Sequence, residues 1–507
     1  MSVTIHSAQV VGLDAKIIAV EMDITPGLHI FTIVGLADKE VQESRERITA
    51  AIQNLGALAP HKKSQRVIVN LAPANIKKEG PAFDLAIALG FLLASGQIIF
   101  DPKDTVFLGE LGLDGGVRKI SGILASVLAA RDAGFARIIL PAGNGMEASL
   151  VGNIAIYEVA SLQETVEFLT GQKKIEPFPE YSYTQPELPD MNADYRHIKG
   201  QEKAKRSLEI AAAGNHNALM VGPPGGGKTL LARALPSILP PLSFEESLEV
   251  TKIYSISGKL SDDVPLVRER PFRNPHHTAS YTAVIGGGTS PRPGEATLAH
   301  RGVLFMDEFP EFDRRVIESL RQPLEERTIT VARSQGTHVF PAQFMLIAAM
   351  NPCPCGNFGN PAKDCSCSPS SVLRYKKKIS GPMLDRIDIH IDTPAVEYDK
   401  LEGAEGEPSS TIRSRIARAR LLQQERFRDF PIATNAEMGL REIKQFIRVK
   451  DDLKPILKLA HERYQLSARA YHRVLKVSRT IADLAGSPEI EAPHLTEALQ
   501  YRPKAEV

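Results

Sequence analysis

The run Gly222-Pro223-Pro224-Gly225-Gly226-Gly227-Lys228-Thr229 constrains this chain more than any other stretch. It fits G-x-x-x-x-G-K-[ST] and lies between an apolar strand predicted over Ala218–Val221 and a helix predicted from Leu230 to Leu235. Lacking a Cβ, glycines let successive backbone N–H groups converge on one anion, and the following helix adds its positive N-terminal end. Lys228 then reaches the β- and γ-phosphates of ATP, and the Thr229 hydroxyl ligates Mg²⁺. A strand–loop–helix of this kind belongs to a helix-covered parallel sheet, so the expected fold class is α/β.

Two more apolar runs end in groups that suit the same chemistry. Gly302–Met306 ends in Asp307 and Glu308. The first acid suits the Mg²⁺ shell, and the second suits orienting and activating a water. Phe344–Met350 ends in Asn351, placed to contact a γ-phosphate or position that water. In Leu384-Asp385-Arg386-Ile387-Asp388, Arg386 stands among apolar residues, where it would serve as an arginine finger toward a neighbouring subunit's ATP or as a structural ion-pair partner.

The rest of the chain bounds this reading. Its 507 residues suggest roughly three domains. With 61 Lys and Arg against 60 Asp and Glu, the net charge is +1, which argues against a uniformly polyanion-coating protein. The longest uncharged apolar stretch, Leu85–Phe100, is broken by Gly90, Ser95, Gly96 and Gln97, so no membrane span of about 20 apolar residues is expected. The N-terminus has no signal-peptide pattern, and the cytoplasm is the expected location.

Residues 1–170 alternate strand-like and helix-like segments and read as one α/β domain. Residues 171–193, carrying Pro177, Pro179, Pro186 and Pro189, read as an extended linker. The nucleotide-binding core is expected over 194–395. After a flexible joint at Glu402–Ser410, helical periodicity dominates the third domain, 396–507. Between Thr411 and Thr480, 17 Lys or Arg face 7 Asp or Glu. The basic run Tyr375-Lys-Lys-Lys378 and the arginines 413, 415, 418 and 420 are candidates for phosphate contact or for ordinary solvated and ion-paired surface. Nothing supports sequence-specific readout of DNA.

All four cysteines, Cys353, Cys355, Cys365 and Cys367, fall within one short segment. Such clustering is unlike a disulfide framework. It leaves two readings: a structural Zn²⁺ held by four thiolates, in a C-x-C spacing less common than C-x-x-C, or unligated thiols.

These parts in this order resemble an AAA+ ATPase core. Gly200-Gln201 with His216-Asn217, Phe272-Arg-Asn-Pro-His-His277, Ile285-Gly-Gly-Gly288, Pro293-Gly-Glu295, Leu320-Arg-Gln-Pro-Leu-Glu325 and Asn351-Pro-Cys-Pro-Cys-Gly356 resemble the YifB/ComM family of Mg-chelatase-like AAA+ proteins. The resemblance extends over essentially the whole chain. It implies a ring-forming motor, expected to be a hexamer, acting on single-stranded or branched DNA as the branch-migration helicases of natural transformation do. By the same resemblance Arg386 matches the arginine finger. Arg469 matches the sensor-2 arginine of a helical lid, with Arg473 as fallback. His276–Gly294 should be the helix-2 insert, and Thr328–Phe340 a DNA-gripping pore hairpin. The N-terminal domain resembles the Lon protease (ChlI-type) fold through Gly109–Arg118 and Ala133–Pro141. Where a Ser–Lys dyad would stand, this chain has Ala82 and Leu124, so proteolysis is not expected. Two other readings compete with the DNA motor: a metal-chelatase motor subunit, and a nucleotide-gated DNA-binding scaffold that does not translocate.

Overall fold

The computed structural model describes residues 2–183, 193–261, 264–288, 291–333, 336–360, 363–396, 404–464 and 466–503. The chain forms two compact units. One is Met1–Gln185 with Phe244–Val267; the other is Pro186–Ser243 with Arg268–Val507.

The first unit is built on a seven-stranded mixed sheet in the order Ile30–Val34, Gln65–Ala72, Asp14–Pro26, Val3–Val11, Thr105–Phe107, Arg137–Pro141, Ala155–Val159. Strand Asp14–Pro26 runs antiparallel to both its neighbours, Val3–Val11 and Gln65–Ala72, and the remaining pairings are parallel. Helix Asp84–Ala94 is buried along most of its length, as its unbroken apolar run requires. At the positions compared with a protease dyad, Ala82 contributes its carbonyl to the Gly109 N–H, and Leu124 is buried with its N–H on Glu147.

Two expected boundaries shift. The proposed linker does not begin free of the first unit. Phe178 N–H donates to Ile156 O at 2.7 Å and Tyr181 N–H to Ser149 O at 3.1 Å, while Phe178, Tyr181 and Tyr183 pack on that unit's core. Residues 184–192 lie outside the described residues. Helix Phe244–Ile256, expected within the nucleotide-binding core, belongs instead to the first unit. Its Val250 and Ile253 are buried, Phe244 packs at a tilt against the Tyr183 ring, and Ser255 accepts from Gly122 N–H and donates to Glu147.

The second unit holds a five-stranded, all-parallel sheet in the order Phe272–Arg273, Val303–Met306, Met345–Met350, Ala218–Val221, Ile389–Asp392. Every residue of Val303–Met306 and Met345–Met350 is buried, the pattern of strands covered on both faces. The helices Glu202–Gly214, Ser409–Arg426, Ala468–Leu484 and Ala492–Gln500 share one continuous hydrophobic cluster with this sheet. The C-terminal helical part is thus joined to the sheet through a common core. Of the expected joint, residues 402 and 403 lie outside the described residues, whereas Ser409 N–H is held by Asp194 Oδ1 at 3.0 Å. The stretch 276–294 contains helix Tyr281–Ile285 and the short pair Gly286–Gly287 with Arg292–Pro293, and Thr328–Arg333 pairs antiparallel with Gly336–Pro341. Among the described residues no helix is long and apolar enough to cross a membrane.

Candidate nucleotide site

In a parallel sheet every strand delivers the residue after it to the same edge. The glycine-rich loop follows Ala218–Val221, Asp307 and Glu308 follow Val303–Met306, and Asn351 follows Met345–Met350. One edge therefore collects all of them. The loop needs glycine at Gly222 because a Cβ there would lie 2.0 Å from Thr393 O, and Gly225 and Gly227 adopt left-handed φ of 77° and 80°. Pro223 and Pro224 stiffen the turn between them. Gln201 pins the loop from behind, donating to Gly226 O at 2.9 Å and Pro394 O at 2.6 Å.

Lys228 is 8% exposed and donates to Gly222 O at 2.7 Å, Pro223 O at 2.9 Å and Asn351 Oδ1 at 3.2 Å. Burial lowers its pKa, and the charge of Asp307 opposes that shift. Thr229 Oγ1 donates to Asp307 Oδ2 at 2.7 Å, which brings together two hard oxygen donors of the kind Mg²⁺ takes. Glu308 sits at φ 52°, a costly region for a side chain with a Cβ, and its N–H donates to Asp307 Oδ1 at 3.0 Å. Its carboxylate is half-exposed and lies 3.0 Å from His277 Nδ1. His277 was singled out in the sequence only within the motif from Phe272, with no role attached. Its contact with Glu308 comes from the strand order, which sets Phe272–Arg273 beside Val303–Met306.

The arginines lie elsewhere. Arg386 precedes strand Ile389–Asp392, at the opposite edge of the sheet from the glycine-rich loop. It is 7% exposed, pairs with Glu325 at 2.6 Å and donates to Pro382 O at 2.6 Å. Asn217, which precedes the loop's own strand, holds the Arg386 carbonyl at 3.1 Å. At the same edge His216 bridges Asp388 at 3.0 Å and Thr480 at 2.8 Å, and Arg473 reaches Asp388 at 3.3 Å and the Ile387 carbonyl. Arg473 is thereby committed to the strand edge rather than to the phosphate loop. Arg469 is exposed in the first turn of Ala468–Leu484. Burial lowers the Arg473 pKa, and Arg386 and Arg469 add to the shift as nearby like charges, so Arg469 also belongs to this side.

The four cysteine sulfurs lie within 4.8 Å of one another. Cys353 is 3.4 Å from Cys355 and 3.7 Å from Cys365, and Cys355 is 3.6 Å from Cys365. A tetrahedral ion with metal–sulfur bonds of about 2.3 Å sets its sulfurs about 3.8 Å apart, so the donor set and spacing fit Zn²⁺. The Asn357 N–H chiefly draws the Cys355 thiol down, whereas burial and the neighbouring sulfurs push the Cys365 and Cys367 thiols up.

The basic segments turn out largely committed. Tyr375 is buried and its phenolic oxygen accepts the Asn351 N–H, and Lys378 pairs with Glu311 at 2.8 Å. Arg415 pairs with Glu209 and Glu407, and Arg420 donates to Ala212 O. Arg418 is exposed and Arg413 half-buried.

The chain matches three families: magnesium chelatase, subunit ChlI over residues 194–401, subunit ChlI of Mg-chelatase over 20–144, and magnesium chelatase, subunit ChlI C-terminal over 406–502. It is 41% identical over 504 residues to the competence protein ComM of Haemophilus influenzae, covering 98% of this chain and 97% of that protein. It is 41% identical over 503 residues to the protein YifB of Escherichia coli, covering 98% and 96%. A magnesium-chelatase 67 kDa subunit of Heliobacterium mobile is 28% identical over 183 residues, 31% of this chain and 27% of that one. With relatives this similar along nearly their whole length and a nucleotide site of this geometry, the chain belongs to the YifB/ComM family of Mg-chelatase-like AAA+ ATPases.

Proposed function

We infer that the protein is a ring-forming motor, a hexamer by family likeness, that hydrolyses ATP at subunit interfaces to translocate on DNA and drive branch migration in recombination and natural transformation. The observation that carries this reading is the division of labour between the two sheet edges. Phosphate-binding groups stand at one edge and Arg386 at the other, so a site that uses both takes one edge from each of two subunits. In that site Lys228 and the loop N–H groups bind the phosphates, and Thr229 and Asp307 hold Mg²⁺. Bound there, Mg²⁺ neutralises phosphate charge. Glu308 orients a water and accepts its proton, while Asn351 holds Lys228 in place and faces the γ-phosphate. Arg386 of the neighbouring subunit, with Arg469 from the same face, stabilises charge on the transferring phosphoryl group. Hairpin 328–341, where Val339 is 57% exposed, faces the pore and grips DNA without sequence preference. The cysteine cluster holds structural Zn²⁺, and a DNA substrate places the protein in the cytoplasm.

The relative named a competence protein supports the assignment to DNA, as does a 110-residue match, 31% identical and covering 22% of this chain, to a DNA repair protein RadA. The family descriptions favour the alternative of a chelatase motor subunit. Turnover measured with a four-way DNA junction and with a porphyrin-handling partner separates the two. The motor reading expects DNA-stimulated hydrolysis and ATP-dependent dissociation of the junction. Turnover indifferent to DNA, with the junction left intact, contradicts it.

A further inference from the structure

The cysteine cluster and the phosphate loop touch. Gly356, one residue past Cys355, has φ +81°, and a Cβ there would come within 2.5 Å of Pro224 Cδ and 2.8 Å of its Cγ. The knuckle backbone therefore lies directly on the ring of a P-loop proline. Two more ties join the same parts. Gly222 N–H donates to Met350 O at 3.2 Å, and the side chain of Asn351, two residues before Cys353, accepts from Lys228. Cys353 is fully buried, and its sulfur accepts the Phe358 N–H at 3.3 Å, which folds the loop back under Gly356. Lys376 covers the Phe358 ring at 5.3 Å.

Three of the sulfurs stand 3.4 to 3.7 Å apart, close to the separation that sulfurs adopt around one tetrahedral Zn²⁺. The position of Gly356 depends on closure of that loop, and Pro224 rests on Gly356. Metal binding is coupled to local folding, and a coupling between two binding sites is reciprocal.

We propose that the cysteine knuckle is a metal-dependent brace for the phosphate loop, so that Zn²⁺ at Cys353, Cys355, Cys365 and Cys367 and nucleotide at Gly222–Thr229 each raise the other's affinity. The proposal rests on the reading of the four thiols as a zinc site and adds to it an effect on nucleotide. It assigns Gly356 and Pro224 as the contact that transmits the coupling. Neither residue touches the metal.

The test uses full-length protein under reducing conditions. Zinc content is measured first. A fluorescent non-hydrolysable ATP analogue is then titrated into zinc-loaded protein, chelator-stripped protein and stripped protein given Zn²⁺ again. Separately, zinc transfer to a chromogenic chelator is followed with and without the analogue. The expected result is a nucleotide affinity on the order of tenfold weaker after stripping, restored by Zn²⁺, and zinc held more tightly by the same factor when nucleotide is bound. The Gly356→Ala variant keeps all four thiols. It is expected to retain one equivalent of zinc, bind nucleotide more weakly and lose the protection of zinc by nucleotide. That variant keeps the test decisive if stripped protein unfolds. Protein that takes up no zinc overturns both the zinc reading and the proposal. Protein that holds zinc, with nucleotide affinity equal across all preparations and unchanged in Gly356→Ala, overturns the coupling alone.

Discussion

The two edges of the parallel sheet in the second unit are built from the same strands and solve opposite problems. At the C-terminal edge, Lys228, Thr229, Asp307 and Asn351 bond one another at distances of 2.7 to 3.2 Å, and Glu308 stands half-exposed beside them. These groups are ordered in advance around a place for phosphate. At the N-terminal edge, buried Arg386 pairs with Glu325 and half-buried Arg473 with Asp388, with His216, Asn217 and Thr480 tying the same edge together. Here the cations are held rather than offered, and Arg386 keeps one nitrogen, Nε, without a hydrogen-bond partner among the described residues. On the proposed reading one edge recognises nucleotide, and the other presents a constrained positive charge that its own loop cannot use.

That contrast is broken most severely by Lys228→Ala, which removes the phosphate-facing cation. Nucleotide binding and hydrolysis are both expected to vanish in a fluorescence titration and a phosphate-release assay. Glu308→Gln separates the two readouts, leaving binding intact while turnover drops on the order of a hundredfold or more. Arg386→Ala acts from the other edge. Turnover is expected to fall by about a thousandfold with nucleotide affinity nearly unchanged, because the residue serves a different subunit's ATP.

A smaller effect sharpens the account of the first edge. The Glu308 carboxylate has to leave its 3.0 Å contact with His277 before that oxygen can orient a water. His277→Ala is therefore expected to raise turnover without DNA by a few-fold and to leave nucleotide affinity unchanged. Equal turnover in both proteins would make the contact incidental.

How far the sequence foretold the molecule follows the same division. The phosphate loop and the acids were legible because each is a contiguous motif attached to an apolar strand, and parallel strands bring such motifs to one edge. The partnership of Asn217 with Arg386 was not, since it joins residues 169 apart in the chain. Neither was Gln201 on Gly226, nor Gly356 on Pro224, each a non-local contact with no periodic signal. Tyr375 resembled a surface aromatic among lysines, yet it is buried against Asn351, because only the fold shows which face of helix Pro369–Lys376 meets the sheet. Helix Phe244–Ile256 carries no motif and falls by position within the expected nucleotide-binding core, yet it belongs to the first unit.

A separate expected effect concerns stability at the second edge. Burial alone would raise the Asp388 pKa, but the hydrogen bond and charge of His216, with Arg473 and Lys476, hold it at about 2 against an ordinary 3.8. A depressed carboxylate stabilises the fold above its unfolded pKa and loses that contribution as pH falls through the folded one. Roughly 2 kcal/mol should therefore disappear between about pH 4 and pH 2. Denaturant unfolding across that range should show a shallower loss in Asp388→Asn than in the unaltered protein.

The most direct test of shared-site hydrolysis mixes two inactive proteins. Arg386→Ala keeps an intact phosphate loop and lacks the finger; Lys228→Ala keeps the finger and lacks the loop. Phosphate release is expected to reappear when the two are combined, rising and then falling as their ratio is varied. Mixtures that co-assemble yet remain inactive at every ratio would show that Arg386 does not complete a neighbour's site.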